Sequence, residues 1–383
     1  MIRLSQPRSF NKILCFALVA SVFVFGIQRP AKAAMPAELA QAVEQIYNVK
    51  FESARATVNT YINRTPRDPA GYIVRGMLNE WDQVVNNKKK ALNAIIMADY
   101  QKAVDFGEQA LEKSPEDAGK MIMLGNAHMY LAKKYVDNGS KMRGGGELKK
   151  AKELMLAAIA KDPNNYDAYM ALGVFNYFSA NVPSGFKWLA ALLGFNGNKA
   201  DGFNYLKKAT ENKNITQGDA GFLLVYIYSV KEKNYGAALQ YNTMLKTRYP
   251  DNPAFQYETG ELLFHQKNYA QSISTATNFL GFCKSKGQGY CSKKYLFMAN
   301  HVIAKSHFKQ GNIAVIKPFV DEAIKYNEDQ YKDRTVDLDL WQGFLAKEKG
   351  DKAKAEEFFR KVEAHKSENG EAWQAAEKEI AAL

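Results

Sequence analysis

The stretch AKELMLAAIAKDPNNYDAYMALG, running from Ala151 to Gly173, decides the fold. Ala151 and Pro163 stand 12 apart, and Gly173 follows 10 later. The same frame recurs at Ala54, Pro66, Gly76, at Ala103, Pro115, Gly125, and at Ala238, Pro250, Gly260. Glycine is 26 of 383 residues, so with 11 prolines fewer than one should meet a glycine ten residues on by chance, and four do. Each position has a physical reason in a helical hairpin. Proline cannot continue a helix and leads into a turn. Asp162, Asn164 and Asn165 around Pro163 supply turn and N-cap chemistry. Glycine ten residues later falls inside the next helix, where it costs about 1 kcal/mol against alanine. That is tolerable where a neighbouring helix needs the space, and the frame alanine makes the same room on the other helix. Large residues fill in around these points: Tyr169, Leu172 and Gly173 fall at i, i+3, i+4, and Ala151, Met155 and Ala158 at i, i+4, i+7 on one face of their own helix.

These residues resemble the tetratricopeptide repeat, which reads W-x2-L-G-x2-Y, then A-x3-F, then P. Met121-x2-Leu124-Gly125-x2-His128 and Tyr169-x2-Leu172-Gly173-x2-Asn176 follow that pattern, with His128 and Asn176 where an aromatic is usual. Tyr72-x2-Arg75-Gly76 and Gln256-x2-Thr259-Gly260 follow it loosely, and Gly343 with Ala355-x3-Phe359 fits late in the chain. The resemblance covers nearly all of residues 36–370. It implies an all-α, tetratricopeptide-type solenoid of about eight helical hairpins. The pairs fall near 36–63, 69–114, 118–161, 166–212, 217–248, 253–281, 292–326 and 335–365, with a capping helix over 370–383.

Three units are too long. Pro66 to Pro115 is 49 residues, Pro115 to Pro163 is 48, and Pro163 to Asn214, which takes the equivalent turn, is 51. The regular period is about 34. The enlarged repeats over 69–212 therefore carry either insertions along one edge of the solenoid or longer helices, whereas the repeats over 217–365 are regular. The segment Tyr135 to Gly146, with three consecutive glycines, reads as a mobile loop. The segment from Val182 to Phe195 is apolar nearly all round, with Phe186 and Trp188 at its centre. It reads either as a short helix folded back into the groove or as an exposed patch for a partner or a membrane face. Continued to Leu206, it resembles the tetratricopeptide repeat protein 39 family, for which no catalytic residue carries over.

The N-terminus has the order of a secretory signal. Arg3, Arg8 and Lys12 precede an apolar run from Ile13 to Ile27, and Ala31-Lys32-Ala33 stands ahead of Ala34. A span needs about 20 apolar residues, so cleavage is expected over anchoring. Residues 1–33 are read as a signal peptide and 34–383 as the mature solenoid, periplasmic or secreted. The signal carries five basic residues and no acid, so the net charge of +12 falls to +7 on cleavage. That mild excess suits anionic envelope polymers or lipid heads, and export argues against nucleic acid. Cys283 and Cys291 remain, an even pair that in an oxidising compartment favours a disulfide over free thiols.

No constellation of a catalytic site emerges. Among five histidines only His301 and His307 are close, and six apart they fall on different helix faces, unlike the i, i+4 pair of a zinc helix. Arg143-Gly144-Gly145-Gly146-Glu147 lacks the Gly-Lys-Ser/Thr end of a phosphate loop, and no Gly-x-Ser-x-Gly elbow occurs. No metal or cofactor is called for. The expected function is an exported scaffold, not an enzyme, that holds an envelope or secreted protein in its groove. The first helices should line that groove, through Arg75, Asn79, His128, Asn176, Tyr226 and Leu263, aided by Phe186 and Trp188. The alternative expectation is a peripheral envelope factor that touches membrane or anionic polymer through 182–195 and the basic surface.

Overall fold

The computed structural model describes residues 35–88, 91–184, 187, 190, 194–212, 214–328 and 331–383. Its first pair is α1 (Ala37–Tyr47) with α2 (Phe51–Arg64), followed by α3 (Pro69–Val85) with α4 (Asn93–Glu112). Next come α5 (Ala118–Asp137) with α6 (Lys141–Lys161), and α7 (Tyr169–Ala180) with α8 (Lys199–Thr210). The regular pairs are α9 (Gln217–Tyr226) with α10 (Tyr235–Arg248), α11 (Pro253–His265) with α12 (Tyr269–Ser285), α13 (Lys293–Lys309) with α14 (Lys317–Tyr326), and α15 (Lys332–Glu348) with α16 (Lys352–Glu363). A last helix, α17 (Gly370–Ile380), closes the array. The described residues contain helices and no strands, and the eight pairs stack as a tetratricopeptide-type solenoid.

The turns use the chemistry their residues carry. Asp68, Asp117 and Asn252 stand just before α3, α5 and α11 and accept from the amides of Ala70 (2.9 Å), Lys120 (3.1 Å) and Ala254 (3.0 Å). The frame alanines Ala54, Ala103, Ala151, Ala238 and Ala355 are all fully buried. The frame glycines face the second helix of their pair. A Cβ on Gly125 would stand 2.8 Å from Met155, and one on Gly173 would stand 2.6 Å from Leu206. A third contact recurs. In three of the four frame repeats the residue four before the glycine reaches back to the carbonyl of the preceding proline: Tyr72 to Pro66 (2.8 Å), Tyr169 to Pro163 (2.6 Å) and Gln256 to Pro250 (2.8 Å).

In the first two enlarged repeats the extra length is mostly helix. α5 and α6 run 20 and 21 residues and meet across a turn of three, at whose centre Gly139 takes φ +83°. The segment 135–146 is therefore not the loop its glycines suggest. Gly144 is buried in α6 where a Cβ would stand 2.8 Å from the carbonyl oxygen of Ala132, and Gly145 faces the ring of Phe195. Gly144 lets the two long helices touch and Gly145 makes room for Phe195, and this packing offsets their poor propensity.

The end of the 182–195 stretch also returns to the solenoid. Phe195 stacks on Phe175 with centroids 5.9 Å apart, and the amide of Asn198 donates to Asn176 (3.2 Å). Phe186 and Trp188 lie outside the described residues. Cys283 at the end of α12 and Cys291 ahead of α13 are joined as a disulfide, with Cα atoms 5.6 Å apart. Among the described residues no helix is long and apolar enough to cross a membrane.

Candidate protein-binding groove

Helical geometry fixes which residues look inward. The frame glycine faces the second helix, and the residue three later lies on the same side. The inner face therefore falls at one and five residues after the glycine. This places the sequence candidates. Asn79 and His128, three after their glycines, are buried against their own chain: Asn79 accepts from Arg55 (3.2 Å) and His128 Nδ1 meets Glu147 (2.5 Å). Arg75 grips Asp99 through two hydrogen bonds, at 3.0 and 2.5 Å. Asn176 ties the returning loop, and Leu263 is core. Tyr226 alone among them is exposed, at 40%.

At the inward position five after the four frame glycines stand Trp81, Tyr130, Phe178 and His265, of which Phe178 is exposed. The first two are covered by the chain itself. Trp81 Nε1 donates to Asp219 (3.0 Å) and Tyr130 Oη donates to the other oxygen of Asp219 (2.7 Å). The hydroxyl of Tyr47 accepts from the amide of Asp219 (3.1 Å), and Asn252 donates to the carbonyl of Tyr47 (2.9 Å). Tyr47 packs on Tyr249 at 4.9 Å, and Trp81 on Phe222 and Phe255 at 5.3 and 5.4 Å. The solenoid thus winds tightly enough for its first three pairs to meet α9 to α11. Burial raises the carboxyl of Asp219 and the phenols of Tyr47 and Tyr130 above their ordinary ranges.

His265, by contrast, keeps 44% of its side chain exposed, and a polar network extends from it across α11, α13 and α15. Glu261 Oε1 lies 3.7 Å from His265 and 2.8 Å from Arg334. Tyr257 donates to the same carboxylate, and Arg334 also donates to the Tyr257 hydroxyl (3.3 Å). Deeper in, Asp337 accepts from His301 (3.1 Å), Lys305 (3.0 Å) and Asn369 (2.8 Å). Burial alone would raise Asp337, but the His301 hydrogen bond and the neighbouring cations hold it at about 2. Burial opposes Glu261 in the same way, and the Arg334 charge still keeps it well below the carboxylate range. Burial lowers His301 below the ordinary imidazole range. Glu258, one turn before Glu261, is pushed up to about 7 by burial and by that neighbouring charge. Burial lowers Lys294, the cation near it.

This network escapes a reading of the sequence because none of its members belongs to the repeat frame. Its only trace is the position of Glu261 and His265, one and five after Gly260. Chemically it is a set of donors and acceptors held by rigid helices, with Lys305 and His265 reaching the surface (29% and 44% exposed).

Comparison with known proteins agrees with the hairpins. The family described as Iml2/Tetratricopeptide repeat protein 39 matches residues 167–287, about a third of the chain. No curated protein matches the sequence significantly. Solved structures with a similar arrangement include pilF of Pseudomonas aeruginosa (15% identity, 68% of this chain and 97% of that one, TM-score 0.43). A second is a tetratricopeptide repeat protein of Parabacteroides merdae (15% identity, 80% and 98%, TM-score 0.38). A third is a thermophilic tetratricopeptide repeat protein of Thermus thermophilus (16% identity, 59% and 97%, TM-score 0.37).

Proposed function

We propose that this tetratricopeptide-type chain is an exported scaffold that holds an extended segment of a partner protein along the inner face of α11, α13 and α15. The observation that carries this reading is the contrast at one repeat position. Trp81 and Tyr130 are sealed against Asp219, whereas His265 is 44% exposed beside fixed Glu261 and Arg334. Side chains anchored on rigid helices lose little freedom when a ligand binds, which favours recognition of a flexible segment. The mix of carboxylate, ammonium and imidazole at the rim suits a peptide bearing both charges and open amides more than a uniformly anionic polymer. Export rests on the basic, apolar and Ala31-Lys32-Ala33 order of the first 33 residues, and it gives the disulfide an oxidising compartment.

The test is capture from an envelope extract by residues 34–383 at low and moderate salt, with Lys305→Glu and His265→Glu variants alongside. One protein retained at both salts and lost from the variants, at unchanged helicity, supports the reading. Equal capture by the variants removes this face from it, and capture that disappears with salt assigns the binding to the basic surface alone. The mass of the chain recovered outside the cytoplasm tests cleavage ahead of Ala34.

A further inference from the structure

The pair α11–α12 differs from α3–α4 and α7–α8 at one place, four residues before the frame glycine, where those two pairs carry Tyr72 and Tyr169. Gln256 stands there in α11. The Tyr169 ring stacks on Tyr205 at 5.9 Å and takes the ammonium of Lys208 on its face at 4.1 Å. Lys208 also donates to the Tyr169 hydroxyl (2.8 Å). Tyr72 is held in the same manner, on Phe106 at 5.5 Å with Lys102 over its face at 5.6 Å. Gly173 faces Leu206 and Gly260 faces Ala276, and this sets the register of α8 against α12. One residue before these stand Tyr205 and Thr275, and two after them Lys208 and Asn278. A tyrosine, its stacking ring and its capping lysine are thus replaced together by Gln256, Thr275 and Asn278.

Gln256 keeps the bond to the proline carbonyl but fills less space, and a cavity of about 180 Å³ remains. Gln256, Thr275 and Asn278 line it, with Phe279 and Phe282 from α12 and Lys246 from the preceding pair. A ring of benzene's size needs about 150 Å³, and this pocket, open to solvent on one side and lined partly by polar groups, offers that volume. We propose that this cavity is a docking subsite for a phenol ring, supplied by a tyrosine side chain of a partner protein. The partner restores the ring that α3–α4 and α7–α8 carry in their own chain as Tyr72 and Tyr169. Phe279 and Phe282 give it aromatic faces, Lys246 stands in for the lysine over the ring, and Asn278 and Thr275 offer hydrogen bonds at its polar edge. Phe279 also packs on Tyr257 of the neighbouring network (6.0 Å), so the two sites share a wall.

The experiment uses residues 34–383 with p-cresol, N-acetyltyrosinamide and methyl β-glucoside, followed by amide chemical shifts. The expected result is saturable shifts around Thr275 and Asn278 with both phenols and none with the sugar. Gln256→Tyr should abolish them and raise Tm, because the chain then fills its own cavity. Thr275→Tyr, on the facing helix, should block them independently, and Lys305→Glu should leave them intact. Absence of saturable binding, or shifts that persist in Gln256→Tyr, overturns the proposal. Binding of p-cresol with exclusion of N-acetyltyrosinamide overturns the assignment to a partner side chain, and binding of the glucoside alone makes the site a sugar site.

Discussion

At Gly343 an added Cβ would stand 2.4 Å from the ring of Phe359, which is itself fully buried. A ring in a packed core cannot swing aside, so Gly343→Ala forces overpacking of about 1–3 kcal/mol. Alanine returns only about 1 kcal/mol of helix propensity. The expected outcome is a net loss of stability in urea denaturation. Gly281 and Gly146, helical and with nothing within 4 Å of a Cβ, give the opposite sign: alanine there should stabilise by about 0.5–1 kcal/mol. If all three variants moved together, glycine contact would not be the cause. Glu258 supplies a second residue-scale prediction. Its folded carboxyl sits at about 7 against an ordinary value of 4.5. Below pH 4.5 both states are protonated and nothing is lost. Between 4.5 and 7 the unfolded chain ionises while the folded one resists, so stability falls as pH rises. Glu258→Gln should therefore be nearly neutral at pH 4 and more stable than the parent at pH 8, by on the order of 1–3 kcal/mol. An equal effect at both pH values would remove the titration from the account.

Helix pairs are the scale at which the sequence is most readable. Pro66, Pro115, Pro163 and Pro250 place the turns, and the frame glycines place the close approach of each pair, because both residues act through backbone geometry that any fold must obey. Gly144 to Gly146 show the limit: glycine is legible as small, yet only the facing helix decides whether it makes a loop or a contact. The groove candidates depart from the structure for a related reason. Asn79, His128 and Asn176 follow from the repeat pattern, three residues after a glycine, and that face turns toward the chain itself. Glu261, Arg334 and Asp337 come from separate helices, and nothing in their spacing announces that they meet. The junction of α12 with α13 carries its own prediction. Cys283 and Cys291 close a short loop, and removing such a crosslink frees the unfolded chain by about 2–3 kcal/mol. Cys283→Ser with Cys291→Ser should lower stability by about that amount, and a reducing agent should do the same to the parent but not to the variant. A parent indifferent to reductant would mean that the crosslink adds nothing.

Winding of the whole solenoid is set by contacts between residues far apart in the chain. Asp219 binds Trp81 and Tyr130, and Asn252 and Arg248 reach α1 through the Tyr47 carbonyl and Glu44 (2.5 Å). In most repeat arrays each unit touches only its neighbours, and stability is close to a sum of local terms. Here the first pair also leans on the fifth and sixth, so the array should behave as a closed spring. Trp81 fills the junction, touching Tyr47, Phe222 and Phe255, and is 5% exposed. Trp81→Ala removes that filling and leaves Asp219 with one hydrogen-bond donor fewer in a buried setting. Loss of a buried aromatic costs about 3–5 kcal/mol. If the junction sets the winding, small-angle scattering of the variant should show a larger radius of gyration at unchanged helicity. Amide exchange should accelerate in α1 and in α9 to α11 together, although some 170 residues separate them. A purely local cavity predicts faster exchange in α3 alone and an unchanged radius. The two outcomes separate a solenoid held open by its repeats from one held closed by a single buried acid and the aromatic rings around it.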